Sequence, residues 1–558
     1  MSTLLRGGTP AGVLRRSPAT GLLRGSVWVA LLAVVIAPMG LVVSLALGAN
    51  HLPQLLAAGL VGATVNSVVS AACSAALAVG IATAAALLIE RSDLPGRGGA
   101  RLLVLTPLLI PPFVGAIAWT GLLTRGGLID QLLGFAPWQF YGGGGVIFLL
   151  TVYSVPVAYL VISAALARVP EDLEVAARIA GADPTRVFAD VTLPVIRPGL
   201  IAAFTLVFIG NLGDFGIPVL VGTPGGYDTL ATMVYRFLQS GTVSAPLQVT
   251  SQIGLVLLVM AMAGIAADRL LAGRAVETDG SGSVGSTLPL GALRTPAAIV
   301  VWVVALAVTV GPLLALLARA LLPAPGVALT FANLTLANLQ RALTAPNTIQ
   351  GLTNSVLLAL GAAVLCGVLG LSIGLLTTRM PARGDGVLVF LALLPQAIPG
   401  LIIAVGWLIL GRYTDLYNTL WVILGAYVTA FTALVVQAVR GPLAGMNSSW
   451  EEAARISGAG PVRALTDTSA RLAIPAAIAG AALVAVTAVR ELTLSVLLVA
   501  PGTQTLGVVI FGYQQAGDYN ASSALSLVFM IVGVAAVALV VPGAGGRIRR
   551  RPTAGETL

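Results

Sequence analysis

The sequence predicts an all-α integral membrane protein of about 12 transmembrane helices, arranged as two parallel six-helix repeats. Three observations predict it: a composition too apolar for a water-soluble body, a succession of apolar runs of spanning length, and an internal duplication. Of 558 residues, 57% are hydrophobic and 9% are charged, and mean hydropathy is +0.98. A soluble globular chain carries about 25% charged residues, so the polar surface here cannot cover a soluble body.

Apolar runs lie near 27–48, 60–89, 102–123, 146–167, 199–222 and 250–272, and again near 297–318, 353–378, 387–410, 419–439, 475–500 and 523–542. Each reaches the roughly 20 residues a helix needs to cross about 30 Å of hydrocarbon. Helices are the natural spanning element, because in lipid each backbone group must be paired within its own segment. The first run follows an Arg-rich stretch, as a signal peptide would. It exceeds a 7–15-residue apolar core and no small-residue cleavage site follows it, so a retained first helix is expected.

All 30 basic residues are Arg. With the N-terminus cytoplasmic, 24 of the 30 fall in cytoplasmic segments, five lie outside, and Arg490 lies within a span. This is the asymmetry expected of retained positive charge. It places both termini inside, with Arg6, Arg15, Arg16 and Arg24 on the same side as Arg547, Arg549, Arg550 and Arg551. The net charge of +9 then follows from topology and calls for no nucleic acid. Cys73 and Cys366 fall inside spans and read as small packing residues. The single His51 cannot build a ligand cluster alone, so no metal site is expected.

The duplication is read by shifting the chain on itself. An offset of 288 places Asn66-Ser67-Val68 on Asn354-Ser355-Val356, Arg91 on Arg379, Pro107 on Pro395, Pro111 on Pro399 and Trp119 on Trp407. Further along, an offset of 277 places Glu174 on Glu451, Ala176-Ala177-Arg178 on Ala453-Ala454-Arg455, Gly181 on Gly458, Pro198 on Pro475 and Asp214 on Glu491. Six spans per half is an even number, so both halves enter from one side and are related by an axis along the membrane normal. The expected organisation is a first half over 1–272, a Gly- and Ser-rich cytoplasmic linker over 273–296, and a second half over 297–558.

The cytoplasmic loop between the fourth and fifth spans of each half is long, from Arg168 to Arg197 and from about Arg440 to Ile474. Each holds a short helix pattern with paired alanines, ended by Gly181 or Gly458 in a position suited to a left-handed cap. Asp183-Pro184 and Gly460-Pro461 can then start the next helix. Such a helix, projecting in duplicate, is shaped to seat in a groove on a soluble partner; two helices lying at headgroup level are the plainer alternative.

These segments, E-x-A-A-x-x-x-G in form, resemble the cytoplasmic signature loop of permeases of binding-protein-dependent ABC importers. The first half continues with Val191-Thr192-Leu193-Pro194 and Arg197-Pro198-Gly199. The resemblance covers most of the chain, and the fused layout is similar to the ferric-iron permease family. Gly213-Asp214-Phe215-Gly216, Arg490-Glu491-Leu492, Pro224-Gly225 with Thr229-Leu230, and Pro501-Gly502 with Thr505-Leu506 also match that family. Two positions depart from it. Val175 stands where Glu452 precedes the alanines in the second half, and Ala470-Arg471 replace the Leu-Pro step.

The resemblance implies the type I ABC importer permease fold, multi-pass in the inner membrane of a bacterium. It implies a cytoplasmic ATPase dimer docked on Glu174, Ala176, Ala177, Gly181, Glu451, Glu452, Ala453, Ala454 and Gly458, and an extracytoplasmic solute-binding protein. Ferric iron is the first cargo expected, with thiamine, polyamine, phosphonate or oxyanion as alternatives. The chain has no G-x-x-x-x-G-K-[ST] loop. It is therefore expected to be a transport subunit and not an enzyme, without a cofactor of its own, with ATP and Mg held by the partner.

Asp214, Arg490 and Glu491 are the interior charges that stand out. Such groups cost about 2.5–3.5 kcal/mol at a helix centre and usually face protein or water. They are candidates for the translocation path, or else caps or ion pairs where the fifth and eleventh spans break. Pro111, Pro112 and Pro399 are expected to bend the third and ninth spans. A twelve-helix secondary transporter is the competing class, but Glu90–Arg97 only loosely matches its usual loop, and its large cytoplasmic loop joins the halves.

Overall fold

The computed structural model describes residues 18–48, 50–271 and 289–540. Every regular element among them is helical. The first half contains α1 (Gly21–Gly48), α2 (Leu60–Glu90), the bent pair α3 (Arg97–Leu105) and α4 (Pro112–Leu123), α5 (Gly143–Leu166), the loop helix α6 (Glu171–Ile179), α7 (Leu193–Leu212), α8 (Leu230–Gln239) and α9 (Pro246–Leu271). The second contains α10 (Arg294–Leu321), α11 (Pro346–Arg379), the bent pair α12 (Asp385–Leu393) and α13 (Gly400–Tyr413), α14 (Leu420–Gly445) and the loop helix α15 (Ser449–Ile456). It continues with α16 (Arg471–Val489), α17 (Thr493–Leu498), α18 (Leu506–Gln515) and α19 (Tyr519–Val540). Residues 273–288 of the expected linker lie outside the described residues, as do Arg6, Arg15, Arg16, Arg547, Arg549, Arg550 and Arg551.

Among the described residues, nine helices are long and apolar enough to cross a membrane, and the two bent pairs raise that to 11. The 22-residue α19 stands where the twelfth span was expected. The bent pairs turn by 104° and 108°, and they cross the full depth of the protein. Arg91, at the end of α2, donates to the carbonyl of Leu166 at the end of α5 (3.0 Å). At the opposite end, Asn66 of α2 and the chain entering α5 both bond the 221–228 segment. Helices α2 and α5 therefore run parallel, and α3–α4 must return from one side to the other between them. The bends fall at Ile110 and Ile398, both extended (φ −97° and −101°). A residue before proline is pushed out of the helical region, and Pro111 and Pro399 follow.

Each six-helix half is held by small residues that let helices approach. Ala71, Ala75, Ala78, Ala82 and Ala86 recur every three or four positions on α2 and are fully buried, where α2 packs on α5. In the second half Gly370 and Gly374 of α11 play this part, since a Cβ on either would sit 2.6 Å from Val435 or Val439 of α14. Close backbone approach is the usual driver of helix association in lipid. The duplicated Asn-Ser pairs at the other end of these helices hold the outer segments. Asn66 and Asn354 donate to the carbonyls of Asp228 (2.8 Å) and Gln504 (2.9 Å), and the Ser67 and Ser355 hydroxyls accept the N–H of Leu230 and Leu506.

Two expectations need correction. The runs 199–222 and 475–500 are not continuous helices, because α7 stops at Leu212 and α16 at Val489, where Gly213 and a capping carboxylate release the chain. Cys366 is buried, whereas Cys73 is exposed on the outer surface of α2 and fills no core.

The halves also interlock. Each first span is seated on the other half. Arg24, at the start of α1, pairs with Asp385 (2.6 Å) and donates to the carbonyl of Met380 (2.6 Å), and Thr429 of α14 donates to the Val34 carbonyl (2.7 Å). Reciprocally, Arg294 donates to the Asp93 carbonyl (3.0 Å) and lies 3.5 Å from its carboxylate. Trp302 covers Gly96 and Gly99. The two arginine anchors differ in burial. Arg24→Ala is expected to lower stability by about 1.5–3 kcal/mol, the range for hydrogen bonds to charged groups, whereas Arg294→Ala, half exposed, should cost under about 1 kcal/mol. Thermal unfolding of the purified variants in detergent checks the order.

Candidate functional site

The two loop helices are amphipathic and short, and each turns one buried carboxylate inward against the membrane body. Glu174 of α6 is buried, 3.6 Å from the Arg91 guanidinium, and accepts from the Thr192 hydroxyl (2.9 Å). Glu451 of α15 receives both Nε (2.8 Å) and Nη2 (2.9 Å) of Arg379 and the Ser469 hydroxyl. Arg379 also donates to the carbonyl of Met446 (3.0 Å). The trio Arg–Glu–Ser/Thr is thus built twice at equivalent positions of the repeat.

This corrects one expectation. Glu174 and Glu451 were assigned to a surface for a partner, but they face the spanning helices, where an arginine at the end of the second span neutralises them. The outward face is carried by their neighbours. Ala176, Ala453 and Glu452 are exposed, and Ala177 and Ala454 are half-buried. Ile179 and Ile456 are 83% and 88% exposed, and Val175 occupies in α6 the place of Glu452 in α15. Sequence reasoning missed Arg91, Arg379, Thr192 and Ser469, although the first two were already superimposed by the 288-residue offset.

Both helices end in the same turn. Gly181 (φ +89°) and Gly458 (φ +90°) are left-handed. Their N–H groups bond the carbonyls of Arg178 and Arg455 (both 2.9 Å), while Ala182 and Ala459 bond Ala177 and Ala454 (both 3.0 Å). This is the Schellman arrangement, and the glycines are needed for φ alone, as nothing lies within 4 Å of a Cβ built on either. Asp183 then caps the next helix by accepting the N–H of Arg186 (2.8 Å). That bond holds its carboxyl below the usual carboxylate range.

Asp214, Arg490 and Glu491 meet where the two halves face each other. Asn211, just before the break in α7, bonds Ser74 of α2 (2.8 Å) and Ser154 of α5 (3.1 Å), which places the break at the middle of both helices. Asp214 accepts the N–H of Ile217 (3.0 Å), and Glu491 accepts the N–H of Leu494 (2.8 Å) and Ser495 (3.3 Å). Both carboxylates cap the short segment after the break. Arg490 does not pair with its neighbour Glu491 but donates to the Ile110 carbonyl at the bend of the other half (3.1 Å). Its counterpart Gly213 packs on the opposite bend, where a Cβ would lie 2.6 Å from Cβ of Pro399. Two turns before the breaks, Leu206 and Leu483 lie on the same helix faces as Gly213 and Arg490 and are half exposed.

A duplicated, bent-helix membrane body with a short loop helix on each half defines the membrane subunit of a transport system. The chain belongs to the family described as binding-protein-dependent transport system inner membrane component, which matches residues 76–277 and again 367–553. It is 22% identical over 473 residues to the Fe(3+)-transport system permease protein FbpB 2 of Haemophilus influenzae, covering 84% of this chain and 87% of that protein. It is 35% identical over 151 residues to the molybdenum transport system permease protein ModB of Mycobacterium tuberculosis (27% of this chain, 57% of that one). It is 28% identical over 143 residues to the ferric transport system permease protein FbpB of Actinobacillus pleuropneumoniae (25% and 20%). The last two matches thus span only about a half and a fifth of the relatives' own lengths.

Removing one partner of a buried ion pair costs about 3–5 kcal/mol, so Glu451→Ala is expected to detach α15 while Glu452→Ala leaves it seated. Limited trypsin digestion read at Arg455 should show fast cleavage in the first variant and parental protection in the second.

Proposed function

We propose that this chain is the permease subunit of an ATP-driven importer, with α6 and α15 as the docking points for a pair of cytoplasmic ATPase subunits. The observation that carries the reading is the exposed, Schellman-ended helix repeated on the same side of both halves. Each is tied by a buried Arg–Glu pair to the end of a spanning helix. ATP-driven approach of the two ATPase subunits would push the helices together and, through Arg91–Glu174 and Arg379–Glu451, rock one half against the other, a rigid-body switch between two states. ATP and Mg belong to that partner. In this reading the docking residues are the outward ones: Val175, Ala176, Ala177 and Gly181 on one half, Glu452, Ala453, Ala454 and Gly458 on the other.

The cytoplasmic side is assigned to the loop helices by the distribution of Arg. Arg24 lies on that side, since it pairs beside the end of α11. A solute-binding protein would deliver cargo to the opposite face, near the segments held by Asn66 and Asn354. Ferric iron is the preferred cargo, because the match to a ferric permease extends over most of both chains; the molybdenum permease match keeps an oxyanion as the second reading. Asp214 and Glu491 serve first as helix caps, and the path is assigned to the contact between the halves at which they lie.

Two experiments test this. In liposomes with a matched ATPase and binding protein, uptake should require ATP; robust concentrative uptake by the chain alone under a proton gradient would instead make it a secondary transporter. Gly181→Arg with Gly458→Arg places side chains at left-handed positions at about 1–2 kcal/mol each and obstructs both helices. Copurification of the ATPase should be lost, and unchanged copurification would remove the docking assignment.

A further inference from the structure

A cavity of about 700 Å³ opens on the face opposite the loop helices, lined by Thr124, Arg125, Trp138, Tyr141, Arg319 and Tyr519 among others. It lies between the halves: Arg319 comes from the last turn of α10 and Tyr519 from the start of α19, whereas the remaining four follow α4 and precede α5. Neither guanidinium has a carboxylate partner among the described residues. Arg319 makes only a long bond to the Thr120 carbonyl (3.4 Å). The acids next in sequence to lining residues Gln131 and Tyr519 are engaged elsewhere: Asp130 accepts the N–H of Gly126 (2.7 Å) and Asp518 pairs with Arg341 (3.1 Å). The repeat does not reproduce this lining, since its offsets place Arg412-Tyr413 on Thr124-Arg125 and Asn418 on Tyr141.

We infer that this cavity binds a multiply charged organic anion, free or as its metal chelate, at the outer mouth of the permease. Two unpaired guanidiniums and the hydroxyls of Tyr141 and Tyr519 supply donors without an opposing carboxylate, and a planar guanidinium matches carboxylate geometry in a forked pair. Trp138, packed edge-on to Phe140 and Phe148, gives a rigid apolar wall. The volume falls within the roughly 300–1,000 Å³ of small-molecule sites, and a lone tetrahedral oxyanion would leave most of it empty. As a cargo site the assignment rests on the importer reading and extends it: a ferric cargo would arrive as an anionic chelate.

The test is calorimetric titration of the full chain in nanodiscs of zwitterionic lipid with citrate, ferric citrate and molybdate, without ATPase or binding protein. Citrate and ferric citrate should bind saturably, and molybdate about tenfold more weakly or worse. Arg319→Gln should weaken citrate and ferric citrate about tenfold or more, the loss expected for a charged hydrogen bond. Arg319→Lys should lose less, with thermal unfolding of both variants at the parental temperature. Absence of saturable citrate binding, equal affinity in Arg319→Gln, or molybdate as the tightest probe would overturn the assignment. So would competition by added phosphatidylglycerol with the same Arg319 dependence, which would make the site one for lipid headgroups. Binding that persists while ATP-driven uptake fails would leave the site standing and remove only the importer reading.

Discussion

A chain that leaves the helical path inside hydrocarbon must pair the N–H and C=O groups it frees, and this constraint organises the centre of the protein. Among the described residues the chain leaves that path at the bends at Ile110 and Ile398 and at the breaks at Gly213 and Arg490. All are brought to the contact between the halves. Asp214 and Glu491 satisfy the freed N–H groups of their own segments, and Arg490 takes the Ile110 carbonyl across the boundary. The irregular backbone is therefore shielded from lipid by its counterpart in the other half.

The halves touch at the breaks, through Gly213 on Pro399 and Arg490 on Ile110. Each loop helix joins its own half through a short, buried and charged connection. Two parallel bonds join Glu451 of α15 to Arg379 at the end of α11, a forked geometry that resists rotation as well as separation. The first half uses a longer Arg91–Glu174 contact with the Thr192 hydroxyl on the same carboxylate, and its outward residue is Val175 where the second half has Glu452.

Much of this was legible in the sequence because the membrane makes composition informative. Spans, the duplication and the positions of the loop helices followed from apolar length and from residues kept at fixed offsets. The bends followed from Pro111 and Pro399, and the left-handed turns from Gly181 and Gly458. What periodicity could not supply was direction. On a nine-residue amphipathic helix Glu174 looks as available as its neighbours until the distant Arg91 is seen to face it. For Asp214 and Glu491, path and cap were both open readings, and the hydrogen bonds show the caps. The exchange of first spans was invisible, since Arg24 and Asp385 share no pattern and lie 361 residues apart.

That separation bears on how the protein is made. At about 5–20 residues per second, some 20–70 s pass between synthesis of Arg24 and of Asp385. Throughout that interval α1 sits in the bilayer without the surface it will finally cover, and the bend at Ile110 waits still longer for Arg490. The first half cannot reach its final packing while it is the only half present. Joining both halves in one polypeptide keeps the missing surface tethered close by, in a fixed one-to-one ratio, and spares the unfinished half a search through the membrane for its complement.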